Sequence, residues 1–219
     1  MPEAVLFDLD GTLADTAPDL GGAMNRLLRE QGREPMSLEM LRPHVSSGAR
    51  GMIAASMGIT PADTTYPTLQ QRFLSIYQEC LCVDTRLFAG VAEHLDELDR
   101  KGIPWGVVTN KSQRFAIPLM EELALRQRSV CIVCGDSAQR AKPHIHPMQL
   151  ASAVIGIDAG GCIYVGDDER DVISGRAAGM KTVVAGWGYL GDGKPPSDWG
   201  ADGIAVAPQD ILGIATSNR

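Results

Sequence analysis

Ala4-Val5-Leu6-Phe7-Asp8-Leu9-Asp10-Gly11-Thr12 is the stretch that decides the fold of this chain. Residues 4–8 form a short run of β-formers with no polar residue before Asp8. That is the pattern of a first strand buried on both faces. In an extended chain, residues two apart point to the same side. Asp8 and Asp10 are therefore expected to face one substrate, with Leu9 turned into the core. Gly11 lets the backbone turn tightly, so that its N–H can approach an anion. One carboxylate of such a pair can attack phosphorus while the other donates and accepts protons.

Outward from that strand, the chain divides into two kinds of pattern. Residues 17–31 have helical character, from Pro18 near the start to Gly32 just past the end. Residues 37–42, 48–57 and 67–82 also read as helices, punctuated by Pro35, Pro43, Gly58-Ile59-Thr60-Pro61 and Pro67. No strand is expected there, and Met52 and Met57 are expected to pack the core of this block. After about residue 88, predicted helices 90–101, 112–124, 147–155 and 169–178 alternate with apolar strands 103–109, 130–134, 161–166 and 181–185. Such alternation implies an α/β fold with a doubly wound parallel sheet. The all-helical block sits between its first strand and the rest. The expected domains are a core, residues 1–14 and 87–219, and an inserted helical cap, residues 15–86. Residues 186–200, rich in Gly, Pro and Trp, read as a long loop.

Bulk properties narrow the function. The 219 residues suffice for one large domain or a core carrying a smaller insertion. A net charge of −7 argues against a nucleic-acid footprint, which needs a basic patch. No apolar stretch reaches bilayer-spanning length, and no membrane partner is expected. The N-terminal residues lack the basic leader and apolar run of a signal peptide, so a cytoplasmic location is expected. The five cysteines, Cys80, Cys82, Cys131, Cys134 and Cys162, fit reduced thiols. Cys131 and Cys134 make a CxxC match, but they lie in an apolar run and are expected to fill core rather than bind zinc.

In an open parallel sheet, chemistry sits beyond the carboxyl ends of the strands. The residues there are Asp8 and Asp10; Thr109 and Asn110; Lys142, a few residues past its strand; and Asp167, Asp168 and Asp171. A helix starting near Asp168 puts Asp167 and Asp171 one turn apart. Four acids at one place repel strongly, about 4 kcal/mol for each pair 4 Å apart at an effective dielectric near 20. They need a cation, and hard oxygen ligands beside a phosphate favour Mg²⁺. Lys142 supplies a point charge to the phosphoryl oxygens and the nucleophile, and Thr109 and Asn110 offer neutral donors. Singly, a DxD is most often a turn or cap and a Lys-Pro pair a helix entry. The four elements in order point to catalysis.

These residues carry a family resemblance. Over essentially its whole length the chain resembles the haloacid dehalogenase superfamily of phosphatases. Phe7-Asp8-Leu9-Asp10-Gly11-Thr12-Leu13 is similar to its first motif and Val108-Thr109-Asn110 to the second. Lys142-Pro143 is similar to the third and Val165-Gly166-Asp167-Asp168 to the fourth. The resemblance implies that Asp8 is the nucleophile that becomes aspartyl-phosphate, and that Asp10 is the general acid/base, its carbonyl binding Mg²⁺. It implies that Asp8 and Asp167 are direct metal ligands and that Asp171 supports them, with Asp168 the alternative for that role. Gly11, Thr12 and Asn110 are then substrate-binding. Asp10 marks a phosphatase, since dehalogenases of this family lack that second acid. One departure is His144-Ile145-His146-Pro147, where the family often has Xaa-Pro-Xaa-Pro; the two histidines read as a solvated loop rather than a second metal site.

Within the superfamily the chain is similar to the phosphoglycolate phosphatase-like group, on stretches such as Ser47-Gly48-Ala49-Arg50 and Gly186-Trp187-Gly188-Tyr189. That implies a small-molecule phosphate ester as partner, with a sugar-acid phosphate as the leading substrate and phosphoglycolate as the alternative. Both carry a carboxylate, and Arg50, at the start of a cap helix, is expected to reach it with its planar fork. His44 and Lys111 also fall near the expected cleft. A monomer or weak dimer is expected. A phosphomutase, a phospho-receiver domain and a catalytically silent phospho-ligand binding protein are the competing readings. A receiver is shorter, carries its aspartate in mid-chain and has no helical insertion.

Overall fold

The computed structural model describes residues 1–216. The chain opens with β1 (Ala4–Phe7), turns through β2 (Ala14–Asp15) and enters four helices. They are α1 (Ala17–Glu30), α2 (Leu38–Leu41), α3 (Gly48–Met57) and α4 (Tyr66–Glu79). It returns at β3 (Arg86–Leu87) and then alternates through α5 (Val91–Arg100), β4 (Trp105–Val108), α6 (Gln113–Glu122) and β5 (Ile132–Val133). There follow α7 (His146–Ile155), β6 (Cys162–Gly166), α8 (Glu169–Ala177), β7 (Lys181–Ala185), β8 (Gly203–Ala205) and α9 (Ile211–Thr216).

Six strands make one parallel sheet in the order β5-β4-β1-β6-β7-β8. This is the expected α/β, doubly wound, Rossmann-like architecture. The chain starts in the middle, winds out to β5, then crosses back past β1 to wind the other way. The crossover leaves a crevice at the carboxyl ends of β1, β4 and β6. Register fixes what meets there. Phe7 pairs with Val107 on one side and Val165 on the other, so the residues just after these strands lie side by side. The period of two sorts the core. Val5, Phe7, Trp105, Val107, Ile163 and Val165 pack one face; Ala4, Leu6, Val108, Cys162 and Tyr164 pack the other.

Where structure and expectation differ, edges explain it. β5 is confined to two residues because it is the sheet's edge, and Val130 before it is 46 % exposed. β8 and α9 were not expected. β8 is a three-residue edge strand whose central Ile204 is exposed, as is Val206 just after it, so it has no buried apolar run to announce it. Residues 186–200 do form a loop, packed down by Tyr189 and Trp199, both buried. Cys131 and Cys134 are buried on opposite faces of the sheet, as three residues' spacing along a strand requires. They fill core on both sides and cannot grip one ion.

The helices between β2 and β3 build their own apolar cluster, which includes Met24, Leu27, Phe73, Ile76 and Tyr77, with Met52 and Met57 inside it. The chain leaves and re-enters the core side by side, because β2 and β3 pair antiparallel. Buried Asp19 at the start of α1 locks that return. It accepts from the N–H groups of Asp84 and Thr85 and from the Thr85 hydroxyl at 2.6–3.0 Å. Among the described residues no helix is long and apolar enough to cross a membrane.

One core residue carries a pH dependence. His94 on α5 is 3 % exposed, stands edge-on to Phe7, and neither ring nitrogen has a hydrogen-bond partner. Burial pulls its pKa below the usual 6.5, so the folded state holds the ring neutral. Below that pH the unfolded chain binds a proton that the folded chain refuses, and stability falls as pH falls. His94→Leu should therefore lose less in Tm between about pH 7.5 and about pH 5.5 than the wild type, measured by thermal scans at fixed ionic strength.

Candidate active site

The acids expected at the strand ends converge. Asp8 follows β1, its N–H held by the Val165 carbonyl at 2.8 Å. Asp167 follows β6, and Asp171 lies one turn into α8. One carboxylate oxygen from each of the three lies within 4.8 Å of the others, and all three residues are buried. A single ammonium faces them. Lys142 Nζ is 2.7 Å from Asp171 Oδ1 and 3.0 Å from Asp8 Oδ1, and it donates to the Val108 carbonyl and the Tyr164 hydroxyl.

Three carboxylates against one ammonium leave an excess of negative charge in a dry place. Burial, then the charges of Asp8 and Asp171, push the Asp167 carboxyl well above its usual range, against the pull of the Tyr189 N–H and the Thr12 hydroxyl. Burial also pushes Asp171 up, although Lys142 pulls it back. For Lys142, burial alone would favour the neutral amine; Asp171 and Asp8 more than offset it and raise the pKa. The donor set is all oxygen, hard and anionic, and it fits a small divalent cation such as Mg²⁺.

The geometry separates Asp168 from Asp171. Asp168 caps α8, its carboxylate accepting from the Arg170 N–H at 2.9 Å and gripping the Arg170 guanidinium at 2.7 and 2.8 Å. Asp171 turns inward to Lys142. The N–H of Asp168 in turn donates to Asp171 Oδ2, so the cap of α8 also fixes the inner carboxylate.

Asp10 lies past the end of the strand, where its carboxylate takes partners of its own. β1 ends at Phe7 and the backbone turns at Gly11, where φ is +84°, so the strand rule stops applying. A Cβ on Gly11 would lie 2.1 Å from Asp167 Oδ2, which is why no larger residue fits. Asp10 still lines the cleft with Asp8, but its Oδ1 accepts from the Thr16 hydroxyl at 2.5 Å and from Lys111 Nζ at 2.9 Å. Its carboxylate stands outside the group of three acids.

Other expected residues have taken supporting positions. Thr12 is fully buried, and its hydroxyl donates to Asp167 Oδ1 at 3.0 Å, while its carbonyl accepts from Trp187. It steadies Asp167 and, like Gly11, does not line the cleft. Thr109 lines it and is held by the Val133 carbonyl through its N–H. The Asn110 amide exchanges two bonds with the main chain of Lys142, at 2.9 and 3.0 Å, and so positions the lysine. Arg50 is exposed and does not line the cleft, whereas Gly48 and Ala49 do. A helix turns about 100° per residue, which swings Arg50 off the face its neighbours present. The His144 and His146 rings lie side by side, tilted by 57°, outside the acidic group.

The sequence reading missed several residues. Tyr189 donates its N–H to Asp167 Oδ2, and its hydroxyl accepts from the N–H groups of Thr16 and Ala17, capping α1. Arg170 donates to the Ser46 carbonyl at 2.7 Å, and the Ser46 hydroxyl reaches Asp167 Oδ2 at 3.3 Å, tying the helical block to the core. The cleft between them measures about 280 Å³. Its floor holds Asp8, Asp10, Thr109 and Lys111; its wall is mainly apolar, with Leu20, Val45, Phe73, Leu74 and Phe115.

Comparison with known proteins agrees with this geometry. The family model for haloacid dehalogenase-like hydrolases matches residues 5–185. The chain is 41 % identical to the N-acetylmuramic acid 6-phosphate phosphatase of Pseudomonas aeruginosa, over 97 % of this chain and 94 % of the relative. It is 43 % identical to the phosphoglycolate phosphatase of Xanthomonas campestris pv. campestris, over 96 % and 95 %. Among solved structures it is similar to a predicted phosphoglycolate phosphatase from Haemophilus somnus, with a TM-score of 0.86 at 25 % identity, covering 98 % of both chains. With the family model matching most of its residues, and relatives of this kind along its whole length, the chain belongs to the haloacid dehalogenase-like hydrolases and is a phosphatase of that family.

Proposed function

We propose that the protein hydrolyses N-acetylmuramic acid 6-phosphate, with Mg²⁺, through an aspartyl-phosphate on Asp8. The observation that carries the chemistry is the buried group of Asp8, Asp167 and Asp171 beside Lys142. Asp8, Asp167 and Asp171 would hold the cation together with the Asp10 carbonyl. When bound, it supplies charge compensation for the phosphoryl oxygens and for the nucleophile.

This chain's residues do the rest. An oxygen of Asp8 attacks phosphorus and the ester P–O bond breaks. Asp10 gives its proton to the departing alcohol oxygen. Asp10, now ionised, takes a proton from water as that water attacks the phosphoenzyme. The P–O bond to Asp8 breaks, releasing phosphate and restoring both acids. Lys142 neutralises the Asp8 carboxylate and the phosphoryl oxygens; Thr109 presents a hydroxyl to them; Asn110 holds Lys142 in register. In this reading residues 15–86 act as a cap over the core and exclude water until the phosphoenzyme has formed.

The size of the cleft and its apolar wall support a sugar ester, which carries methyl-bearing substituents to fill it. A second reading, phosphoglycolate, is supported by Lys111. Its ammonium lies beside Asp10, where it would meet a carboxylate close to the scissile ester.

The test is phosphate release from N-acetylmuramic acid 6-phosphate, 2-phosphoglycolate and hexose phosphates. A kcat/KM at least about tenfold higher for the muramic acid ester is expected, a difference of about 1.4 kcal/mol. A preference for phosphoglycolate would leave the mechanism and discard that substrate. Removal of Mg²⁺ with EDTA should abolish turnover. Re-addition should restore it and raise Tm, since a ligand at about 100 times its Kd stabilises by about 2.7 kcal/mol. Turnover that persists in EDTA would overturn the metal assignment.

A further inference from the structure

Two side chains that line the cleft hold hydrogen-bonding capacity that the described residues leave unused. Lys111 Nζ donates to Asp10 Oδ1 and lies 4.7 Å from the centre of the Tyr77 ring. An ammonium has three donors, so two remain. The side chain is only 7 % exposed. The Tyr77 hydroxyl is buried beside the Lys111 ammonium and makes no well-formed hydrogen bond. Both residues line the cleft, and around them lie Leu20, Phe73, Leu74 and Phe115. Unmet donors in apolar surroundings are costly unless a ligand completes them.

The chemistry of that ligand follows from position. Lys142 and the acidic group attend the phosphoryl end. Arg170, the other cation lining the cleft, is committed to Asp168 and to the Ser46 carbonyl. Lys111 stands one hydrogen bond from Asp10, on the side where the departing alcohol must lie. An acceptor there, anionic and attached to the alcohol part of the substrate, would fill the two ammonium donors and the phenol together.

We propose that Lys111 and Tyr77 form the subsite that takes a carboxylate on the substrate's alcohol portion, and that this subsite, not Arg50, selects carboxylate-bearing esters. The inference rests on the function proposed above and names the residues that set its specificity. Lys111 keeps Asp10 with one donor and offers the others to the carboxylate, so the group that recognises the substrate also orients the proton donor.

A matched pair of substrates tests it. N-acetylmuramic acid 6-phosphate carries a lactyl carboxylate that N-acetylglucosamine 6-phosphate lacks. Lys111→Met should lower kcat/KM for the muramic acid ester about thirtyfold more than for the glucosamine ester, the size of one charge-assisted hydrogen bond. The differential loss should lie mainly in KM. Tyr77→Phe should cut the same ratio several-fold, and Lys111→Arg should keep part of it, since the charge stays. Circular dichroism and Tm report whether each variant folds. If the wild type prefers the muramic acid ester and Lys111→Met keeps that preference, the subsite is overturned while the function stands. If the wild type prefers 2-phosphoglycolate and Lys111→Met removes that preference relative to the glucosamine ester, the subsite stands and the substrate falls. A wild type that favours neither carboxylate ester overturns both.

Discussion

Asp8→Asn should abolish phosphate release, by at least about 10⁴-fold in kcat, and at the same time raise the melting temperature of the Mg²⁺-free protein. The first effect follows because an amide is a poor nucleophile and forms no acyl phosphate. The second comes from charge. Asp8 shares its pocket with Asp167 and Asp171, against the one ammonium of Lys142. Repulsion between like charges at such a distance is on the order of 4 kcal/mol at an effective dielectric near 20. Replacing one acid by an isosteric amide removes part of that, while Lys142 keeps its 2.7 Å partner Asp171. The two readouts together separate chemistry from folding. A variant that loses activity and Tm alike would point to a structural role. A variant that still releases phosphate would take the nucleophile away from Asp8. Mg²⁺ should stabilise Asp8→Asn less than the wild type, because one anionic ligand has gone.

The sequence showed the fold and the acids for a common reason: both are local. β1, β4, β6 and β7 are runs of four or five residues, nearly all buried, so each declares itself without reference to its neighbours. Asp8 and Asp167 follow directly on such runs, and parallel pairing brings run ends together. The spacing offered both Asp168 and Asp171; the cap of α8 spends Asp168 on Arg170 and leaves Asp171 facing Lys142. What stayed hidden depends on contacts between distant residues. Tyr77 and Lys111 meet only because α4 folds back over the core, and Arg170 meets Ser46 across 124 positions. Thr12 and Asn110 have partners that only the fold reveals: the Thr12 hydroxyl donates to Asp167, and the Asn110 amide, which lines the cleft, bonds the Lys142 main chain. Arg50 is exposed, one helical step beyond Ala49, which lines the cleft.

Lys142→Met should be the most damaging single change to stability among the site residues. Lys142 is 5 % exposed and has four partners: Asp8, Asp171, the Val108 carbonyl and the Tyr164 hydroxyl. The folded state raises its pKa, so the ammonium persists at any physiological pH and its loss cannot be met by deprotonation. Methionine matches its length and apolar stem, so little packing is lost. What remains is three buried carboxylates whose neighbouring guanidinium, Arg170, is already held by Asp168. Removing one partner from a buried ion pair costs about 3–5 kcal/mol, a large share of a typical domain's stability. The loss should appear in full without metal and shrink with saturating Mg²⁺, which would take over part of the charge. It should also shrink as pH falls. Asp167 and Asp171 already have raised pKa values, and once protonated they no longer need a counter-charge. Urea titrations of the wild type and Lys142→Met, at neutral and mildly acidic pH and with and without Mg²⁺, measure all of this. A difference in unfolding free energy that ignores both metal and pH would show that Lys142 acts through packing alone. Activity should be lost in every condition, because in Mg²⁺ the variant folds but the phosphoryl oxygens lack their fixed positive charge.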